Sequence, residues 1–492
     1  MEAFNNEKYL KLQSEKILDR MNNAGGKLYL EFGGKLFDDY HAARVMTGFK
    51  FDSKVKLLES LKDRLEIVIC IGAPDIEKNK IRADYGITYG TDVFRMIDKF
   101  REFGLKVNSV VVTQYQKQEA ADILMTKLKA FGIKTYIHSY IEGYPRNIEF
   151  LLSDLGYGVN EYIETTMPLI VITAPGPGSG KLATCMSQLY HDYKRGIESQ
   201  YAKFETFPVW NLPLKHPVNV AYEAATLDLD DVNMIDPFHL ESYNQIAVNY
   251  NRDIEAFPIL KAMLQKITKN FTYNSPTDMG VNMVGFCIEN DAEICNSAKQ
   301  EIIRRYYNII CDYKKGIATA KMLEKIKVLL NELDIKPEQR DVVIPAREKS
   351  NKTDLGAVAI KLNSGNIITG KTTKIMTASA SVVLNAIKYL AGLDDKLLLI
   401  SENILKPIQD LKIMLTGNKE VLLDIKDILP ALSVCAVTNP TASVALEKIT
   451  KLNGTQAHST YMFTSAEEDV YRSLKICVTS EPNYMTDKLY IK

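Results

Sequence analysis

The sequence predicts an α/β protein of several domains, with an N-terminal part built on a mostly parallel sheet. Between residues 27 and 174, apolar β-rich runs alternate with amphipathic helical runs, the order that produces parallel strands joined by helices. The run "LIVITA" is apolar on both faces, as a central strand covered on both sides should be. The length, 492 residues, exceeds what one hydrophobic core serves, so two to four domains are expected.

Taken in order, "KLYLEF" (27–32) is the first strand, stopped by Gly33 and Gly34. The helical "KVKLLESLKDR" leads into the strand "LEIVICIGA" (65–73). "DVFRMIDKFREFGLKV" leads into "NSVVVTQY" (108–115), and "EAADILMTKLKAFGI" into "KTYIHSYI" (134–141). Gly104 and Gly132 stand where helix C-caps belong. "PLIVITA" (168–174) is a central strand, and the apolar stripe Leu182, Cys185, Met186, Leu189, Tyr190 and Tyr193 that follows marks a helix. This first domain spans 1–258. Its last part, 197–258, loses regular periodicity and gathers aromatics and prolines, which reads as a cap over the sheet. Residues 259–335 read as a helical region. The charged stretch 334–354 reads as a linker or exposed loop. A C-terminal α/β domain at 345–492 contains "LGAVAIKL", "ASVVLNAIKYLAGL", "KLLLI", "ALSVCAVTN" and "SLKICVTSE".

Composition excludes some classes of function. Lys plus Arg equals Asp plus Glu at 61 each, so no global field draws the chain to nucleic acid or to an anionic membrane. No run approaches the roughly 18 apolar residues of a spanning helix, and the polar start has no leader-like apolar segment. The seven cysteines are scattered without paired short spacings, which points to reduced thiols and a cytoplasmic address. Neither H-E-x-x-H, C-x-x-C nor G-x-S-x-G occurs, so no metal site is predicted.

The chemistry concentrates in "APGPGSGKLAT" (174–184), between the central strand and its helix. Glycines let successive N–H groups turn inward, and the helix adds unpaired amides and a positive dipole end, which together favour an anion. Gly176, Gly178, Ser179, Gly180, Lys181 and Thr184 are the candidate cofactor-binding residues, with ATP or another nucleotide and Mg²⁺ as the ligand. The loop departs from the pattern G-x-x-x-x-G-K-[ST]: Pro175 stands at the first glycine and Leu182 at the Mg²⁺-binding hydroxyl. Ser179 and Thr184 are the hydroxyls near enough in sequence to substitute. A tight turn that lets strand and helix pack closely is the competing explanation. "GNIITGKT" (365–372) fits the pattern letter for letter, but its isoleucines belong in a strand. It reads as a β-hairpin turning at Ser364-Gly365.

Lys181, His216, Asp236 and His239 are the candidate catalytic residues, having the side chains that orient or exchange protons. Lys35, Lys203, Glu205 and Arg252 are the candidates for contact with a polar substrate. The expected partner is a small phosphorylated molecule, and a homo-oligomer is carried as an expectation about state. Either an enzyme transferring or hydrolysing a phosphoryl or nucleotidyl group, or a non-catalytic nucleotide sensor or assembly protein, fits these residues.

The runs "TAPGPGSGKLATCMSQLYHDYKRG", "YAKFETFPVWNLPLKHPVNVAYEAAT" and "EFGGKLFDDYHAARV" together resemble a bacterial family catalogued as domain of unknown function 1846, over essentially the whole chain. The resemblance implies a P-loop-like N-terminal domain, a helical region and a C-terminal α/β domain of cytidine-deaminase-like topology. It implies no reaction and no catalytic residue. The C-terminal part has neither H-x-E nor P-C-x-x-C, so a deaminase-like scaffold without zinc is expected there.

Overall fold

The computed structural model describes residues 2–82, 85–268, 273–418 and 421–486; Lys269 and Asn270, the end of one expected helix, lie outside these. The chain divides into two compact units, Met1–Lys299 and Gln300–Lys492.

The first unit is organised by seven strands: β1 (Lys27–Phe32), β2 (Leu65–Gly72), β3 (Val107–Tyr115), β4 (Lys134–Ser139), β5 (Leu169–Thr173), β6 (Ser199–Phe204) and β7 (Gly280–Val281). They form one sheet in the order β7-β6-β1-β5-β2-β3-β4, and every neighbouring pair is parallel. The two-residue period of a strand sends alternate side chains to opposite faces. Leu28, Leu30, Ile67, Ile69, Leu169 and Val171 pack with helices Asn6–Asn22, Ser53–Ser60, Tyr89–Glu102 and Glu119–Ala130. Tyr29, Val68, Cys70, Ile170 and Ile172 pack with helices Lys181–Lys194 and Asn251–Ile267. With both faces covered, the central strand β5 is buried at every position, and the five runs expected between residues 27 and 174 are β1 to β5.

The stretch 197–258 is more ordered than its composition suggested. It begins with β6, which pairs along its whole length with β1. It continues through helices Pro217–Glu223 and Pro237–Tyr243 and a ribbon of Asn233–Ile235 with Val248–Tyr250. Helix Asn251–Ile267 runs across residue 258. The edge strand β7 lies within the stretch read as helical. The expected linker at 334–354 is largely helix Val343–Thr353, because Val342, Val343 and Ala346 are apolar at buried positions.

In the second unit, β8 (Ala357–Lys361) and β9 (Ile367–Lys371) form an antiparallel hairpin. β10 (Gln456–Ser459) adds antiparallel to β8, and β11 (Cys477–Ser480) adds parallel to β10. Residues 396–400 form neither strand nor helix. The hairpin turns at Gly365, whose φ is +87°. Gly370 sits against helix Ala378–Leu390: a Cβ there would lie 2.3 Å from the Val382 nitrogen. The letter-for-letter match to a phosphate loop is therefore strand and turn. Lys371→Ala is expected to leave nucleotide and phosphate affinity unchanged in titration calorimetry; a tenfold loss, about 1.4 kcal/mol, would reverse that assignment. Among the described residues, no helix is long and apolar enough to cross a membrane.

Candidate functional site

Parallel strands deliver all their carboxyl ends to one edge of the sheet, where open α/β sheets place ligands. The loop 174–180 leaves that edge at the centre, from β5. Gly178 and Gly180 have φ of +76° and +80°, a conformation that glycine adopts without strain. The loop is held from the sheet side. Thr113 Oγ1 donates to the Ser179 carbonyl at 2.9 Å, Gln114 Nε2 to the Gly178 carbonyl at 3.0 Å, and Ser179 Oγ to the Gly176 carbonyl at 3.0 Å. A Cβ on Gly176 would lie 2.1 Å from the Tyr89 hydroxyl, and one on Gly180 2.8 Å from Thr113 Oγ1. Close packing thus accounts for two of the three glycines, and the glycine count by itself no longer argues for a ligand.

What packing leaves unexplained are the amides and the lysine. The N–H groups of Gly178, Gly180, Lys181, Leu182 and Ala183 have no protein acceptor among the described residues. The last three open the 14-residue helix Lys181–Lys194, whose first N–H groups have no intrahelical partner. Lys181 is half-buried and makes no ion pair among the described residues. Burial pushes the Cys70 thiol up to about 12, against the pull of the Thr184 hydrogen bond and then of the Lys181 ammonium. Glu31 pushes it further the same way, so amine and carboxylate act on the same thiol.

Two hydroxyls expected at the loop are engaged elsewhere. Thr184 is fully buried; it accepts from Cys70 Sγ at 3.4 Å and lies 3.5 Å from His138 Nδ1. His138 Nε2 stands 3.1 Å from the Glu161 carbonyl and must donate to it, which leaves Nδ1 to accept from Thr184. Ser179 is spent closing the loop on Gly176.

A second group of side chains occupies the same edge at β6. Lys203 Nζ lies 2.9 Å from Glu205 Oε1 and is bonded to Asp253 Oδ2. Burial pushes the Glu205 carboxyl up to about 7, Lys203 pulling it down and Asp253 pushing it up. Gly280, in β7, leaves the room: a Cβ there would lie 2.7 Å from Glu205 Oε2. Tyr201 OH donates to Glu31 Oε2 at 2.8 Å, joining β6 to the end of β1. Arg252 pairs with the buried Asp231 at 3.2 Å. The other Asp231 oxygen and Asn233 Oδ1 are buried without a partner among the described residues. β5 and β6 flank β1, so the loop and the Lys203 group stand about 10 Å apart at the usual strand spacing.

The remaining candidates have other partners or none of these contacts. Asp236 caps helix Pro237–Tyr243 and also accepts from Thr277, so both its oxygens are used. His239 is buried, 2.9 Å from Ser275 Oγ. Both serve to fasten the cap. His216 contacts Asp291 and Cys295. Lys35 is exposed on the turn after β1. Glu31 and Asp253 were missing from the candidates; Glu31 carried a signal, as the one acid in "KLYLEF", whereas Asp253 carried none.

The family described as "Domain of unknown function DUF1846, N-terminal" matches residues 2–334, and its C-terminal counterpart matches residues 338–490. A UPF0371 protein of Clostridium tetani (strain Massachusetts / E88) is 53% identical over 497 residues, 99% of each chain. UPF0371 proteins of Clostridium botulinum, strains ATCC 19397 and Langeland, are 53% identical over the same share. With both parts matched in order and the similarity running nearly end to end, the chain belongs to the bacterial DUF1846 family.

Proposed function

We propose that the N-terminal unit binds a nucleotide or another phosphorylated small molecule along the carboxyl edge of its sheet, in a P-loop-like manner. The phosphate lies on the amides of residues 178–183 and on Lys181; the rest of the ligand extends over β1 toward Lys203, Glu205 and Asp253. The observation that carries this reading is the row of N–H groups without protein acceptors at a helix N-terminus, beside a lysine with no ion-pair partner among the described residues. Glu205, with its carboxyl raised to about 7, is the group suited to exchange a proton near neutrality. The reaction class is phosphoryl or nucleotidyl transfer, or hydrolysis, with amides and Lys181 stabilising the charge that develops on the phosphate. Mg²⁺ would arrive on the phosphates of the ligand. The C-terminal unit is taken as a cytidine-deaminase-like scaffold without deaminase chemistry, on the motifs its sequence lacks.

One observation favours a second reading, a non-catalytic nucleotide sensor or assembly protein. Leu182 replaces the Mg²⁺-binding hydroxyl, and the Ser179 and Thr184 hydroxyls are engaged within the protein. Calorimetric titration with nucleoside triphosphates and sugar phosphates tests the binding, and product analysis of the tightest one separates enzyme from sensor. Lys181→Ala is expected to weaken that ligand by roughly 1.5–3 kcal/mol, the range of a hydrogen bond to a charged group. An unchanged affinity would leave the loop as a packed turn.

A further inference from the structure

His216, Asp291 and Cys295 converge on one point. His216 is buried at the N-cap of helix Pro217–Glu223. Asp291 opens helix Asp291–Lys314, and Cys295 follows one turn later, so both project from one face. His216 Nε2 lies 3.0 Å from Asp291 Oδ1 and 3.4 Å from Cys295 Sγ, and Cys295 Sγ lies 3.7 Å from Asp291 Oδ2. All three donor atoms fall within 4.8 Å of one another.

The three side chains form a hydrogen-bonded trio centred on the carboxylate. The ring's Nδ1 accepts from the Val218 N–H at 3.3 Å, so the one ring proton is on Nε2 and is given to Asp291. The Cys295 thiol in turn donates to Asp291 Oδ2 at 3.7 Å, so the one carboxylate gathers both protons. A tetrahedral zinc ion takes the place of those two protons among the same donor atoms. With bonds of about 2.3 Å to sulfur, about 2.0–2.1 Å to nitrogen and about 2.0–2.2 Å to oxygen, the ligand atoms stand about 3.3–3.6 Å apart. The Nε2–Sγ separation of 3.4 Å falls in that range, while Asp291 meets the ring through Oδ1 and the sulfur through Oδ2, so binding turns the carboxylate to present one oxygen.

We propose that His216, Asp291 and Cys295 form a three-ligand site for a zinc-class divalent cation, its fourth position open to water. One thiolate and one carboxylate balance the charge of the cation. Thiolate with imidazole selects a borderline-soft metal over Mg²⁺ or Ca²⁺. On binding, the thiol proton leaves to solvent, and the imidazole proton moves from Nε2 to Nδ1 so that the Nε2 lone pair reaches the metal. The Val218 N–H contact, long at 3.3 Å, is given up in exchange. Spacing along the chain predicts no such site, because His216 is 75 residues from Asp291.

The test is Co²⁺ added to full-length protein stripped with a chelator. The expected result is a thiolate-to-cobalt charge-transfer band that saturates at one equivalent and is bleached by Zn²⁺. Cys295→Ser, at a half-exposed position, is expected to remove the band while leaving the circular dichroism unchanged. Zn²⁺ alone is expected to switch the His216 tautomer in ¹⁵N spectra, which a merely structural histidine does not do. Absence of the band, or a band that survives Cys295→Ser, would overturn the site. Lys181→Ala is expected to leave the Co²⁺ titration untouched, so this result stands apart from the phosphate reading.

Discussion

Replacing Lys203 with methionine is expected to destabilise the N-terminal unit by roughly 3–5 kcal/mol, the cost of removing one partner from a buried ion pair. Lys203 stands between Glu205 and Asp253, and without it two carboxylates face each other with no cation between them. Partial exposure places the effect toward the lower end of that range: the side chains of Lys203 and Asp253 are each 21% exposed. The loss should depend on pH with a definite sign. The Glu205 carboxyl is raised from 4.5 to about 7, so its contribution to stability is present below about pH 4.5 and is lost as pH rises through 7. Removing the ammonium raises that carboxyl further. The gap between variant and wild type therefore widens from pH 5 to pH 8. Urea unfolding at the two values measures it; a gap independent of pH would mean that Lys203 acts by packing alone.

Gly180→Val is expected to abolish binding of phosphorylated ligands, whereas Lys181→Ala only weakens it. Two costs coincide at Gly180. Its φ of +80° costs a side-chain-bearing residue roughly 1–2 kcal/mol. Its Cβ would also lie 2.8 Å from Thr113 Oγ1 and 2.9 Å from Thr113 Cβ, on a buried strand residue that cannot swing away, and overpacking adds roughly 1–3 kcal/mol. Gly178 supplies the control. It shares the positive φ at +76° but has nothing within 4 Å of its Cβ position, so Gly178→Ala bears the strain without the clash. Thermal unfolding of both variants separates the two contributions. Equal shifts in Tm would show that the contact with Thr113 is slack.

Much of the N-terminal sheet is legible in the sequence because its strands are buried on both faces. Burial leaves β5 an apolar run and β2 apolar but for Glu66, and the helices between them carry regular stripes. Strand β6 escaped notice for the opposite reason. "SQYAKF" interleaves Gln200 and Lys203 with its buried residues, Gln200 bonding the Asn23 carbonyl and Lys203 pairing with Glu205 and Asp253. The helix at Val343–Thr353 was hidden by charge: only a narrow face, Val343 and Ala346, is buried. The Gly/Lys loop was visible as a motif, yet its glycines had two explanations that spacing cannot separate. Only coordinates show Tyr89 and Thr113 filling the space beside two of them.

By itself, the sequence determined the parallel α/β class, five of the seven sheet strands, the hairpin at 365–372 in place of a phosphate loop, and the position of the glycine loop between strand and helix. These follow from periodicity and turn chemistry, which act over a few neighbouring residues. Tertiary structure alone decided that Glu31, Lys203, Glu205 and Asp253 share one edge, that Thr184 and Asp236 are consumed inside the fold, and that His216 meets Asp291 and Cys295. Each depends on which strands and helices become neighbours, and strand order is set by the packing of whole elements. A pattern with a period of two or 3.6 residues says which face is buried but carries no record of what lies against it.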